Sequence, residues 1–156
     1  MILYLYSEIA KLLTQQLPNE SLWIDLDRGQ LEDPESFESL IIPAILVNMP
    51  QIEWQTLGQR NQIGDTTFTL KVVISLPEPT YNINNVNINL EAITIEDRIH
   101  KAITAAGIMR TGTRSYPVST YFVIEHRYIT TTDYVSATIT KPLGDLSLQT
   151  NSQLNK

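Results

Sequence analysis

Two histidines offer the most versatile chemistry in this sequence, because imidazole exchanges protons near neutral pH and can bind metals. His100 follows Glu96 by four residues in a segment of helical periodicity, so the two side chains could meet for acid–base or metal chemistry. His126 stands between Glu125 and Arg127, whose side chains point to the opposite face of a strand. No third ligand stands at a useful spacing. We therefore predict a solvated His100 on a helix surface and a His126 that packs across strands.

The arginines could bind a phosphate or the carboxylate of a partner. Arg110 and Arg114 lie in "GIMRTGTRS", which has two glycines but lacks the Lys-Ser/Thr ending of a phosphate-binding loop. Such arginines are more often solvated or in intrachain ion pairs, but both are kept as candidates for an interface with another protein. The sequence has no cysteine, which excludes disulfides and thiolate metal sites. The carboxylates show no convergence of the kind that hydrolysis needs, so we predict no catalytic residue, no metal and no cofactor.

Composition indicates a single soluble domain. Of the 156 residues, 42% are hydrophobic and 18% are charged, which is enough apolar material for a core. The net charge is −6 and the basic residues form no run, which disfavours binding to nucleic acid phosphates. The apolar start lacks the basic opening and the cleavage site of a leader, and no stretch is long enough to span a bilayer. We expect an intracellular protein without a membrane partner.

Amphipathic helices must supply part of the core. Apolar residues recur at helical spacing in "MILYLYSEIAKLLTQQL", and Pro18 should end that helix. A second stripe runs through "TIEDRIHKAITAAG", with Thr94 as the expected cap and Gly107 as the expected end. A short helix should start in "DPESFESL", because Asp33 can cap it and Pro34 suits its first position.

Strand patterns fill most of the remaining chain. "SLWIDLD" and "TFTLKVVISL" alternate, and "LIIPAILVNM" is apolar at both parities, as a strand covered on both faces would be. A Trp-bearing strand follows, and then a polar loop over Gly58–Asp65. Two late strands, "VSTYFVIEHRYIT" and "YVSATIT", should be joined by a turn at "TTTD". An Asn-rich loop is expected at 81–89. The interface candidates in the polar loop are Gln59, Arg60, Asn61, Gln62 and Asp65.

These elements predict an α+β fold, a mainly antiparallel twisted sheet with two helices packed on one face, because that arrangement buries both helical stripes. We place a single domain at residues 1–141 and a polar, mobile tail at 142–156.

The layout resembles a known family over roughly residues 1–140. The resemblance lies in an N-terminal amphipathic helix, the proline-containing strand "IIPAILV", the polar loop before "GDTTFTLKVVISL", the helix "TIEDRIHKAITAAG" and the closing "FVIEHRYITTTDY". It is a likeness to the tail-terminator, or tail-completion and head–tail joining, proteins of long-tailed phages and prophages.

The resemblance implies a structural protein without enzymatic activity. Such subunits form a ring, typically a hexamer, at the head-proximal end of the tail tube. The ring contacts the tail tube protein and the head connector, and DNA passes through it without specific binding. Assembly would occur in the bacterial cytoplasm and the product would be part of the virion. The alternatives are a neck, head-completion or tail-assembly protein, and a small enzyme or ligand-binding domain that uses His100, Glu96 and Arg110.

Overall fold

The computed structural model describes residues 2–18, 21–58, 61–75, 90–135 and 138–141. The helices are α1 (Ile2–Gln16), α2 (Pro34–Glu38) and α3 (Leu90–Ala105). The strands are β1 (Trp23–Leu26), β2 (Ala44–Gly58), β3 (Asn61–Ser75), β4 (Met109–Val118), β5 (Tyr121–Val135) and β6 (Thr138–Lys141). No helix within these ranges is long and apolar enough to cross a bilayer.

The six described strands form one sheet in the order β1-β2-β3-β5-β4, and β6 pairs with the far end of β5. β1 and β2 run parallel because the chain crosses over through α2 between them. The other described pairs are antiparallel. Because α1 and α3 bury their stripes in the same core cluster, the predicted α+β fold with two helices on one face is confirmed.

The larger core lies between the sheet and the two long helices. The stripe of α1 buries Leu5 and Leu13 as the periodicity predicted, and α3 adds Ile99 and Ile103. Full burial of such a side chain contributes roughly 1.5–3 kcal/mol. α1 ends at Gln16, just before the proline that was expected to stop it.

A smaller core covers the opposite face of the sheet. Phe37 and Leu40, on and after α2, pack against Leu46 and Val73 of the central strands. The capping prediction for α2 is confirmed, because the side chain of Asp33 accepts a hydrogen bond from the Ser36 backbone N–H. Because both faces of the sheet are covered, the side chains on both sides of β2 are buried from Ala44 to Val47, as its apolar run predicted.

The predicted polar loop before β3 is wrong in extent. β2 continues to Gly58 through a register shift between Asn48 and Gln51, and β3 already begins at Asn61. Residues 61–65 are therefore strand residues. Their polarity is no obstacle to a strand, because the backbone pairs with β2 on one side and β5 on the other.

Two other boundaries differ from the predictions. "TTTD" is not a turn but part of β5, where it pairs with β3, and threonine is well suited to extended backbone. α3 begins at Leu90, so Thr94 lies inside the helix and does not cap it, because the preceding "LEAI" forms helix readily. Gly107 follows α3 with φ of 82°, as expected for its end. The Asn-rich segment and the tail lie outside the described residues.

Candidate functional site

A two-stranded arm carries three of the five polar-loop residues that the sequence nominated for an interface. We define the arm as Gln51–Gly58 of β2 with Asn61–Thr67 of β3. Gly58 pairs with Asn61, so only two residues separate the strands. The candidates on β3 are Asn61, Gln62 and Asp65, all half-buried, and the other two, Gln59 and Arg60, lie outside the described residues.

The outer backbone edge of the arm is open. β1 pairs with β2 only over Ala44–Val47, and within the described part of the chain no strand pairs with the outer side of β2 beyond that point. An open edge presents unpaired N–H and C=O groups that can pair with another chain. The β2 strand of the arm also exposes side chains to solvent, and its exposed apolar residues include Leu57 and Trp54.

A glycine and a tryptophan keep the arm in register. Gly64 lies directly opposite Trp54, and a Cβ on Gly64 would come within 2.8 Å of Trp54 Cζ3 and of Ile52 Cγ2. The indole ring therefore occupies the space that a side chain at 64 would need. Cross-strand contacts of this kind stabilise one alignment of a hairpin.

The arm holds two carboxylates side by side. Glu53 and Asp65 are directly opposite each other, so their side chains project from the same face. Gln51 donates a hydrogen bond to Glu53 Oε1 at 2.7 Å. Among the residues that the structure describes, neither carboxylate has a basic partner. Like charges directly opposite each other destabilise the pairing of two strands, unless a cation from elsewhere binds them.

β4 forms the opposite margin of the sheet. It pairs with β5 alone among the described strands, and its residues from Met109 to Ser115 are exposed. Arg110 lies opposite Tyr128, on the helix-covered face. Arg114 lies on the other face and donates to Glu125 Oε2 at 3.1 Å, with its guanidinium over the ring of Tyr116. The hydrogen bond from Arg114 to Glu125 raises the pKa of the arginine.

A row of alternating charges crosses the face of the sheet that is turned away from α1 and α3. Asp27, after β1, binds Lys71 Nζ at 2.8 Å; Glu125 lies opposite Lys71, and Arg114 lies opposite Glu125. Burial lowers the pKa of Lys71, but the hydrogen bond and charge of Asp27 outweigh burial and raise it overall. The side chains of Lys71 and Asp27 are 15% and 6% exposed. This pair links the end of β1 to the centre of the sheet.

A buried polar cluster lies under α3 and corrects the expectations for both histidines. His126 is 2% exposed, and Glu96 on α3 binds its Nε2. Thr113 Oγ1 lies 2.8 Å from His126 Nδ1. In the tautomer that carries its proton on Nε2, the carboxylate accepts the Nε2–H and Nδ1 accepts the threonine O–H. His126 does lie between strands, but its main partner is a helix carboxylate that the spacing had assigned to His100.

His100 is half-buried and not the solvated residue that was predicted. Its Nδ1 lies 2.9 Å from the hydroxyl of Tyr128, and its ring centroid is 5.4 Å from that of His126. Burial, followed by the positive charge of Arg110, lowers the pKa of His100. Burial also raises the pKa of Tyr128. The hydroxyl therefore stays protonated and donates a hydrogen bond to the neutral imidazole of His100.

In this cluster, hydrogen bonds link a hydroxyl, an imidazole and a carboxylate in that order, from Thr113 through His126 to Glu96. Such an order can remove a proton from the hydroxyl when a substrate is bound beside it. The described residues contain no group of three or more His, Cys, Asp or Glu side chains able to hold a metal ion. The sequence signal for this cluster is that His126 shares the face of the buried Tyr128, and a buried imidazole needs partners.

No family model matches the chain, and no curated protein sequence matches it. The inference of function therefore depends on the resemblance of the sequence layout, the open edges, the charges and the buried cluster.

Proposed function

We propose that the protein is a ring-forming structural subunit, a tail terminator at the head-proximal end of a phage tail tube. The observation that carries this proposal is a pair of strand edges, on β2 beyond Val47 and on β4, that are open within the described part of the chain and lie at opposite margins of one sheet. A ring of identical subunits uses two different surfaces of each copy, because every contact is head-to-tail. Two open edges on opposite sides supply such surfaces.

The assignment to phage tails rests on the resemblance of the sequence layout, and the α+β architecture is compatible with it. The proposed partners are further copies of the chain, in a hexamer, together with the tail tube protein and the head connector. DNA would pass through the ring without specific binding, and the net charge of −6 favours this because it repels phosphates.

Sedimentation velocity and negative-stain images of the purified protein, with and without tail tubes, test the proposal. We expect a concentration-dependent rise in mass and annular particles with a central opening, some of them on tube ends. A protein that stays monomeric and does not bind tubes would contradict it. Binding to isolated heads in preference to tubes would identify the related alternative, a neck or head-completion protein.

The second candidate, a small enzyme, is favoured by the Thr113–His126–Glu96 arrangement. We rank it lower because His126 is 2% exposed and both of its ring nitrogens already have protein partners. A fluorophosphonate probe tests it, since the probe labels activated hydroxyls. Labelling that disappears in Thr113→Val, a variant of nearly the same shape, would establish this candidate in place of the ring. Absence of labelling would eliminate it.

A further inference from the structure

The two arm carboxylates have a matching set of cations on the opposite margin of the sheet. Arg127 of β5 is exposed and lies beside Arg114, next to a shallow hollow that also borders Gly112. A Cβ built on Gly112 would meet nothing within 4 Å, so the backbone there is open. Arg127 has no carboxylate partner among the residues the structure describes. The hollow thus holds two guanidinium groups, of which Arg114 is bound to Glu125 on the same wall and Arg127 is available to an incoming carboxylate.

The carboxylates and the cations project from the same face of the sheet. Along β3, side chains at Asp65 and Lys71 share a face because they are an even number of residues apart. Lys71 lies opposite Glu125, whose face also holds Arg127 and Arg114. A sheet that continues from one copy into the next would keep this face in common, so both sets of charges would meet on one side.

The strand directions also fit such a continuation. β2, β3, β5 and β4 are successively antiparallel, so β2 and β4 run in opposite directions. A neighbour in the same orientation therefore brings its β4 antiparallel to β2. Prolines limit the two edges, because proline has no N–H to donate. Pro50 precedes the eight residues Gln51–Gly58, and Pro117 follows the eight residues Met109–Tyr116.

We propose that the arm of one copy adds to the β4 edge of the next, with Glu53 and Asp65 bound by Arg114 and Arg127 of that neighbour. This inference rests on the proposed ring function and names its contact. Asp65 lies opposite Thr131, four residues beyond Arg127 on β5. Arg114 lies opposite Glu125, two residues before Arg127. The neighbour is therefore displaced along the strands by about four to six residues, roughly 13–20 Å. Tilted strands accommodate such a displacement in a closed ring, as they do in barrels.

Charge exchange tests the contact. In the arm variant, E53K and D65K make the arm positive; in the edge variant, R114Q and R127E make the hollow negative. Each variant alone should lose association by roughly a hundredfold, because like charges then face each other. An equimolar mixture should associate, with the two chains alternating, and a chain carrying all four substitutions should associate by itself. The matched control exchanges an exposed pair on α3, D97K with K101D, and should leave association unchanged.

Sedimentation velocity gives the association constants, and circular dichroism verifies that each variant is folded. Association of the arm variant at the wild-type level, or a folded mixture that fails to associate, would overturn the contact. A wild-type chain that shows no self-association up to about 1 mM would overturn it as well. In those cases binding of the wild-type chain to tail tubes still decides the ring function separately, so the two failures are distinguishable.

Discussion

Substitution of Gly64 by alanine should destabilise the arm, although it replaces a flexible residue with a better strand former. The new Cβ would lie 2.8 Å from Ile52 Cγ2, and 2.8 and 2.9 Å from Trp54 Cζ3 and Cε3, whereas 3.4–4 Å is ordinary contact. The neighbours must therefore move by several tenths of an ångström or more. Forced expansion of a filled site costs about 1–3 kcal/mol. Loss of glycine's freedom in the unfolded chain returns roughly 0.4–1 kcal/mol.

The net expectation for Gly64→Ala is a loss of about 1–2 kcal/mol, which for a chain of this length lowers Tm by roughly 2–8 °C. The matched control is Gly112→Ala, also in a strand, where the Cβ meets nothing within 4 Å. That variant should be neutral or slightly more stable. Urea and thermal unfolding, followed by circular dichroism and by tryptophan fluorescence, give both values.

Equal stability of the two alanine variants would refute the argument. A double-mutant cycle locates the cause, because Trp54→Ala removes the ring that the new Cβ would contact. The cost of Gly64→Ala should then fall by at least half in the Trp54→Ala background. Trp54 is 38% exposed, so an unchanged cost would show that the ring swings aside freely.

Three further predictions concern the polar residues within the fold. Glu96→Ala should lower the free energy of unfolding by about 1–3 kcal/mol, because buried His126 loses a partner, while Glu96→Gln keeps an acceptor and should lose less in urea titrations. Asp27→Ala should cost about 2 kcal/mol, because Lys71 loses a hydrogen bond between charged groups. Lys71 should stabilise the wild type fully below pH 10.5, and that contribution should be lost as the pH rises through the raised pKa. An unchanged alkaline profile in Lys71→Met would contradict this. Burial lowers the pKa of His100, so its contribution is present above pH 6.5 and is lost as the pH falls through the lower folded pKa; NMR titration and unfolding of His100→Gln between pH 5 and 7 test the sign.

Local patterns predicted the elements that local forces determine. The helical stripe that includes Leu5 and Leu13 could be assigned from spacing alone, and so could the cap at Asp33, because both depend on residues a few positions apart. Burial of Ala44–Val47 on both faces of the sheet could also be predicted, because a strand whose side chains are apolar on both sides must be covered on both faces.

Partners distant in sequence could not be predicted in the same way. Glu96 stands four residues before His100 but binds His126, thirty residues away, because the register of α3 on the sheet decides which histidine it meets. The polar side chains of the arm residues Asn61 and Asp65 favour a loop, yet their backbone pairs on both sides. Strand formation there depends on two neighbours that a local window does not contain.

The charge row from Asp27 through Lys71 and Glu125 to Arg114 has a consequence for how the strands are aligned. A slip of one residue on β3 would turn the Lys71 ammonium into the hydrocarbon under α1 and α3, at a large cost in desolvation. The row therefore fixes the register of β3 at the centre of the sheet. The row acts together with the contact between Trp54 and Gly64, which holds the register of the arm further along the same two strands.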